Sequence, residues 1–177
     1  MFLRSVAWTT ILLASIVVHS GVNAAPSSAV VDQRGRAITL EALRGAPVVV
    51  TFISAHCSDA CPIINAEIAL AAHASFASST HYLSITLDPE RDKRADMQRL
   101  ARVFEANPAQ WTFASGDLGA IHALMKRFGI VAVRGRDGYA EAHTTLVYIL
   151  DRNGRLVATL LPSTNLPPSI ASEVASL

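Results

Sequence analysis

Three continuous apolar runs of strand length constrain the fold of this chain most strongly. They are VVVTFI (48–53), LSITL (83–87) and TLVYIL (145–150). A run without polar alternation is typical of a strand buried on both faces, as in a sheet covered by helices. The runs therefore predict a layered α/β fold rather than an all-helical bundle.

The segments between these runs have helical or hairpin signals. Ile64, Ile68, Ala72 and Phe76 recur every four residues behind Pro62, which predicts an amphipathic helix with proline in its first turn. The predicted order is hairpin, strand, helix, strand, helix, strand, helix, hairpin and helix, an α/β sandwich that joins parallel βαβ units to an antiparallel hairpin.

Two glycine-containing dipeptides predict the hairpin turns. Arg34-Gly35 lies between two short β-like runs at the start of the domain, and Asn153-Gly154 is the dipeptide favoured in a two-residue type I′ turn. Right-handed crossovers would place the loop around Cys57 at the carboxyl end of a central strand, where α/β sheets usually carry their sites.

The N-terminus resembles a secretory signal. A short charged start, a mostly apolar run from Val6 to Val18 and a small-residue cleavage site after Ala24 predict a signal peptide over 1–24, followed by a linker over 25–29. The alternative is an uncleaved membrane anchor, although 13 residues is short against the roughly 20 apolar residues of a spanning helix. Either reading predicts an extracytoplasmic protein, either secreted to the periplasm or attached to the inner membrane through its N-terminus.

The 153 residues after Ala24 suffice for one domain, which we place at 30–177. Without Arg4, the chain has 14 basic and 14 acidic residues, so its formal charge is about zero. This balance, without a basic face interleaved with aromatic residues, argues against a nucleic-acid partner.

The only two cysteines, Cys57 and Cys61, lie between a predicted strand and the helix that Pro62 begins. Unpaired N–H groups and the helix dipole at such a position favour the thiolate form. If the loop makes one helical turn, residues four apart share a face, so the sulfurs could form a disulfide or bind one ion. Spacing alone leaves three uses open: redox chemistry, metal binding and a structural disulfide.

A metal bound by two thiolates would need a third ligand, and histidine is the obvious source. Four of the six histidines are expected to be removed with the signal or to be surface or packing residues: His19, His73, His81 and His122. His56 adjoins Cys57, but neighbouring side chains on an extended segment point to opposite sides. His143 differs, because it lies where an irregular loop meets a predicted strand whose end can approach the cysteine loop.

Three motifs together give a resemblance to a known family. TFISAHCSDACP, ITLDPERD and HTTLVYILDRNG, in this order and at these separations, resemble the Sco family (SenC/PrrC) of thioredoxin-fold copper chaperones, over about 30–161. The resemblance implies a thioredoxin-like fold with a central mixed sheet, flanking helices and an N-terminal β-hairpin. It also implies copper, as Cu(I) or Cu(II), bound by Cys57, Cys61 and His143, with a disulfide between the cysteines when they are oxidised.

The same resemblance implies a metallochaperone rather than an enzyme. The expected role is assembly of the dinuclear copper centre of cytochrome c oxidase, with subunit II as recipient and other copper carriers or thiol reductants as further partners. The alternatives are a thiol–disulfide oxidoreductase using Cys57 and Cys61 as catalytic thiols, and a copper or redox sensor of respiration. Asp88, in the DPERD motif, is expected to form a turn and to orient a ligand at most, rather than to bind metal directly.

Overall fold

The structure is a computed structural model that describes residues 30–57, 60–74, 79–134, 136 and 140–177, with the backbone alone for 60 and 140–143. The predicted signal peptide and linker lie outside this range. Within it are nine strands: β1 Val30–Asp32, β2 Ala37–Ile38, β3 Val48–Ile53, β4 His81–Thr86, β5 Trp111–Gly116, β6 Ala132–Arg134, β7 Ala140–His143, β8 Val147–Leu150 and β9 Leu156–Leu160. The helices are a short 3-10 helix Glu41–Leu43, α1 Ala60–His73, α2 Arg94–Val103, α3 Leu118–Arg127 and α4 Leu166–Ala175.

Seven strands form one mixed sheet in the order β2-β1-β5-β4-β3-β8-β9. The central strands β3, β4 and β5 are parallel, while β1 and β8 run antiparallel to their central neighbours. β1 and β2 form the predicted N-terminal hairpin. The predicted thioredoxin-like α/β fold is therefore confirmed.

Strand β3 is buried throughout because helices cover both faces of the sheet. Val49 and Ile53 pack on one face with residues of α1, α2 and α4, and Val50 and Phe52 pack on the other with Ile121 of α3. Alternate side chains of one strand thus enter two separate cores, which explains its unbroken apolar sequence.

Helix α1 has the predicted amphipathic pattern. Ile64 and Ile68 are buried, whereas Ile63 and Leu70 are exposed. The helix begins at Ala60, ahead of Pro62, and ends at His73, so Phe76 of the predicted pattern lies outside the described residues.

The predicted type I′ turn at Asn153-Gly154 is wrong. Within the described chain, Glu105 is the one non-glycine residue with positive φ, so Asn153 does not adopt the required conformation. Instead the Asp151 carboxylate accepts hydrogen bonds from the backbone N–H groups of Asn153 and Arg155, and Gly154 takes the positive φ of 79°.

The turn in the N-terminal hairpin has the same construction. Asp32 accepts from the N–H groups of Arg34 and Arg36, and Gly35 has a φ of 84°. In both turns the arginine four residues after the aspartate donates from Nε to the second carboxylate oxygen, at 2.8 Å in the first turn and 2.9 Å in the second. A side chain that accepts several local N–H groups selects the turn in place of the dipeptide.

The sheet brings three separated segments to one edge. The carboxyl ends of the parallel strands β3 and β4 lie together, and the antiparallel strand β8 begins there, with Val147 opposite Thr51. The residues after Ile53, those after Thr86 and those before Val147 therefore meet at this edge. Among the described residues, none of the helices is long and apolar enough to cross a membrane.

Candidate metal centre

The cysteine loop follows β3 and is held from two sides. The Asp92 carboxylate accepts from the Ala55 N–H at 2.9 Å and from the Thr86 hydroxyl at 2.6 Å. On the other side, the Arg99 guanidinium donates to the Ala55 carbonyl at 3.2 Å. These contacts fix the loop against the end of β4 and against α2, so Cys57 is placed by the framework of the fold.

The two cysteines are free thiols at the start of α1. The Cys57 sulfur accepts a hydrogen bond from the Cys61 backbone N–H at 3.4 Å, so it takes the position of an N-cap acceptor. Cys61 is only 3% exposed, whereas Cys57 is partly exposed. An accessible sulfur at Cys57 thus lies against the first turn of the helix that carries the buried sulfur of Cys61.

Burial is the main cause that raises the pKa of Cys61, to about 12. The hydrogen bond with the Cys57 side chain adds to this effect, while a backbone hydrogen bond at Ser54 opposes it, and the charge of Asp92 raises the pKa further. The Cys61 thiol thus keeps its proton at neutral pH. Because a thiolate is the form that binds metal, metal binding must release this proton.

A buried chain of polar side chains anchors the cysteine turn to the sheet. The Asn65 amide donates to the Cys61 carbonyl at 2.8 Å and accepts from the Ser84 hydroxyl at 3.0 Å. The Trp111 indole N–H donates to the Ser84 oxygen at 3.1 Å. Every link lies in the core, so the first turn of α1 is fastened to β4 and β5.

A cavity of about 160 Å³ opens beside both sulfurs. Apart from the cysteines, its lining includes Pro62, Arg99, Val103 and Phe104. A larger apolar cavity of about 330 Å³ lies between the N-terminal hairpin and α3, but its lining contains neither cysteine nor histidine. Thiol chemistry therefore places the functional site at the smaller cavity.

The His56 imidazole lies beside Asp92, in the loop between β4 and α2. Its Nε2 is 3.7 Å from Oδ1 of the fully buried Asp92. Burial raises the pKa of Asp92, against the lowering effects of its hydrogen bonds with Thr86 and Ala55 and of His56. The imidazole thus has a carboxylate partner, and the exclusion of His56 as a ligand stays a prediction.

His143 is the last residue of β7 and is paired with Ala132 of β6, so it ends a strand instead of lying where an irregular loop meets the next strand, as predicted. The Leu146 carbonyl, three residues later, accepts from the Thr51 hydroxyl at 3.4 Å, and β8 then runs beside β3. The backbone after His143 therefore leads directly to the edge that carries the cysteines. The imidazole itself lies outside the described residues, so its role as a ligand stays a prediction.

Within the described side chains, no group of three His, Cys, Asp or Glu residues could hold a metal ion. Cys57 and Cys61 are among these side chains, but the described part of His143 is its backbone alone. The donor set itself fits copper, because two thiolates and an imidazole suit Cu(I). The fit therefore depends on whether His143 completes the site.

The loop between β4 and α2 carries Asp88, which was expected at most to orient a ligand, and Asp92, which sequence reasoning did not assign to the site. Asp88 and Asp92 are both fully buried, and in the described part of the chain each has one carboxylate oxygen without a hydrogen-bond partner. The DPERD motif indicates a turn, which the structure confirms, but its four-residue spacing of aspartates gave no sign that both carboxylates would be buried. Arg134, which pairs with Asp88 at 3.0 Å, had no sequence signal.

Comparison with known proteins places this geometry in a family. The chain matches copper-bound Bradyrhizobium japonicum ScoI at 30% identity, with a TM-score of 0.70 over 84% of this chain and 96% of that one. A Bacillus anthracis SCO1/SenC family lipoprotein matches at 22% identity, with a TM-score of 0.75 over 85% of this chain and 91% of that one. Copper-bound yeast Sco1 matches at 21% identity, with a TM-score of 0.70 over 85% and 87%.

The two structures that match at less than 25% identity show that the fold is shared. The Bradyrhizobium structure, at 30% identity, also supports membership of the same family. Among curated proteins, none matches the chain. The model of the SCO1/SenC family matches residues 23–177. With its two thiols at the start of α1, at the carboxyl edge of a thioredoxin-like sheet, the chain belongs to the SCO1/SenC family.

Proposed function

We propose that this chain is an extracytoplasmic copper-binding chaperone that carries copper on Cys57, Cys61 and His143. The observation that carries the proposal is the pair of free thiols at the start of α1, at the edge where β8, which begins four residues after His143, runs beside β3. Copper in the structures of family members from Bradyrhizobium, Arabidopsis and yeast supports this assignment.

The recipient we propose is the dinuclear copper centre of cytochrome c oxidase, in subunit II. Transfer between thiolate sites can proceed by ligand exchange, and the partly exposed Cys57 is the ligand that an incoming donor can reach first. Oxidation of the two thiols to a disulfide would remove the thiolates, with release of two electrons and two protons to a disulfide-bonded acceptor. The site would then be a switch between a reduced, loading form and an oxidised, empty form.

Copper titration of the reduced protein tests the ligand set. We expect one copper per chain for the wild type and severely weakened binding in Cys57→Ser, Cys61→Ser and His143→Ala. His122→Ala is the matched control, because His122 lies on an exposed face of α3. If His143→Ala binds copper as tightly as His122→Ala, the three-ligand site is wrong.

A thiol–disulfide oxidoreductase is the second candidate, favoured by the contrast between a partly exposed Cys57 and a buried Cys61. In this reaction Cys57 attacks a disulfide of the recipient, and Cys61 then displaces the recipient thiol as the Cys57–Cys61 disulfide forms. The raised pKa of Cys61 opposes the second step, because few Cys61 thiolates exist at neutral pH. This role predicts copper-independent reductase activity that survives His143→Ala.

A further inference from the structure

The hairpin that carries His143 is separate from the main sheet. β6 and β7 form a two-stranded sheet of their own, with Ala132 opposite His143 and Arg134 opposite Ala140. Two short strands alone are marginally stable in water. The position of His143 relative to the cysteines therefore depends on what attaches this hairpin to the rest of the molecule.

Arg134, the last residue of β6, makes such an attachment. Its Nη1 lies 3.0 Å from Oδ2 of Asp88, in the loop between β4 and α2. The Asp88 side chain is fully buried, and its backbone N–H donates to the Thr86 hydroxyl at 2.9 Å. Its carbonyl accepts from the N–H groups of Arg91 and Asp92, at 3.0 and 2.7 Å. Arg134 thus pairs with a carboxylate whose own position is fixed.

The same loop holds the cysteine half of the site. Asp92, four residues after Asp88, binds the Ala55 N–H and the Thr86 hydroxyl. One short loop therefore contacts the cysteine loop through Asp92 and the histidine hairpin through Asp88. Its rigidity would fix the distance between the two halves.

We propose that the Arg134–Asp88 ion pair is a positioning contact that sets the β6–β7 hairpin, and with it His143, against the two cysteines. The inference rests on the proposed copper site. Arg134 is then a positioning residue, because it touches neither sulfur and acts through the strand that ends in His143. Its loss would weaken copper binding by leaving the third ligand poorly placed.

Arg91 is a matched control within the same structure. Its Nη1 is also 3.0 Å from Oδ2 of Asp88, and its side chain is 34% exposed against 38% for Arg134. Removing either arginine leaves Asp88 with one guanidinium, so the cost of an unpaired buried carboxylate is similar in the two variants. The difference is that Arg91 lies in the loop itself, three residues from Asp88, whereas Arg134 lies on the hairpin.

The test compares Arg134→Met and Arg91→Met in the reduced full-length protein, titrated with Cu(I) against a competing chelator. Methionine keeps an unbranched stem and removes the charge. We expect Arg134→Met to raise the copper Kd about 10- to 100-fold, the range for residues that orient a metal ligand. Arg91→Met should change it by less than about twofold. Equal effects of the two variants would overturn the inference.

A double-mutant cycle with His143→Ala separates positioning from a general structural role. In the His143→Ala background, Arg134→Met should change the copper Kd by less than about twofold, since no histidine remains to be positioned. An undiminished effect in that background would overturn the inference. Normal binding by the single His143→Ala variant would overturn the proposed ligand set as well, so the two failures are distinguishable.

Arg134→Lys provides a variant that keeps the charge. Its copper Kd should lie between those of the wild type and Arg134→Met, because an ammonium can still pair with Asp88 but lacks the fork of the guanidinium. If Arg134→Met does not fold, the same cycle is measured with Arg134→Lys. A lysine variant identical to the wild type in every background would overturn the need for the arginine contact.

Discussion

The proposed copper site has a cysteine half, the turn that carries Cys57 and Cys61, and a histidine half, the hairpin that carries His143, and the two are attached to the fold by different interactions. The cysteine turn is anchored in the core, through Asn65 and Ser84 to Trp111. The histidine lies on a two-stranded hairpin outside the main sheet, to which a partly exposed arginine adds an ion pair. Damage to the first half should therefore cost stability, and damage to the second should mainly cost copper affinity.

This difference suits a protein that binds copper and then releases it. Because the two thiols are already held in place, little conformational entropy is lost when they bind copper. A third ligand on a separate hairpin can leave first, because its departure does not require opening the core. In the proposed site the cysteines would therefore retain copper, and the histidine strand would control its release.

The largest effect is expected from removing a thiol. The free energy of binding a structural metal ion in a small domain is about 10–16 kcal/mol. Losing one of three ligands should therefore cost about 3–5 kcal/mol of binding free energy, which raises the copper Kd by at least about 10²- to 10³-fold. Cu(I) competition titrations of Cys57→Ser and Cys61→Ser measure this. A copper Kd raised by less than about tenfold in both variants would show that the cysteines do not supply most of the copper affinity.

Asn65→Ala tests the anchoring of the cysteine turn to the core. It removes two buried hydrogen bonds, so we expect the free energy of unfolding to fall by about 2–3 kcal/mol. Urea denaturation of the copper-free protein gives the value. Asn153→Ala, at an exposed turn position, is the control and should change stability by less than about 0.5 kcal/mol. Equal stability of the two variants would contradict the anchoring role.

Copper affinity should rise with pH because the cysteine half holds a proton. In the folded copper-free protein the pKa of Cys61 is raised to about 12, so the thiol is protonated throughout the neutral range and must lose its proton on binding. Each released proton gives about a tenfold rise in affinity per pH unit. Titrations between about pH 6 and about pH 8, corrected for the chelator, test this. A flat profile would contradict proton release from Cys61.

The smallest effect should be the loss of stability in Arg134→Met. Partly exposed ion pairs contribute about 0–1 kcal/mol, and Asp88 keeps Arg91 as a partner. Urea denaturation should therefore show a change of less than about 1 kcal/mol in the free energy of unfolding. A loss as large as that of Asn65→Ala would place the hairpin contact among the core interactions and remove the contrast between the halves.

The sequence predicted the parts of the fold that depend on burial. Strand β3 packs into both cores and helix α1 packs into one of them. The unbroken apolar run of β3 and the four-residue spacing in α1 are the sequence patterns that such burial requires. The position of the cysteines follows from these two elements. Their position at the start of α1 was therefore predictable from spacing and element order.

The hairpin β6–β7 was not predictable in the same way. Val131 and Val133, at its start, are 65% and 57% exposed, and β7 contains small and polar residues rather than an alternating apolar pattern. Its strands depend on pairing with each other and on contacts such as Arg134 with Asp88, which join residues 46 positions apart. Similarly, the turn at Gly154 follows from the Asp151 side chain rather than from the Asn-Gly dipeptide.

The central claim is that both halves bind one copper ion together, and X-ray absorption spectroscopy of the reduced, Cu(I)-loaded protein tests it most directly. We expect a first coordination sphere of two sulfurs and one nitrogen in the wild type. In His143→Ala the nitrogen should disappear, while His122→Ala keeps it. A sphere of sulfur alone in the wild type, or a nitrogen that persists in His143→Ala, would contradict the account.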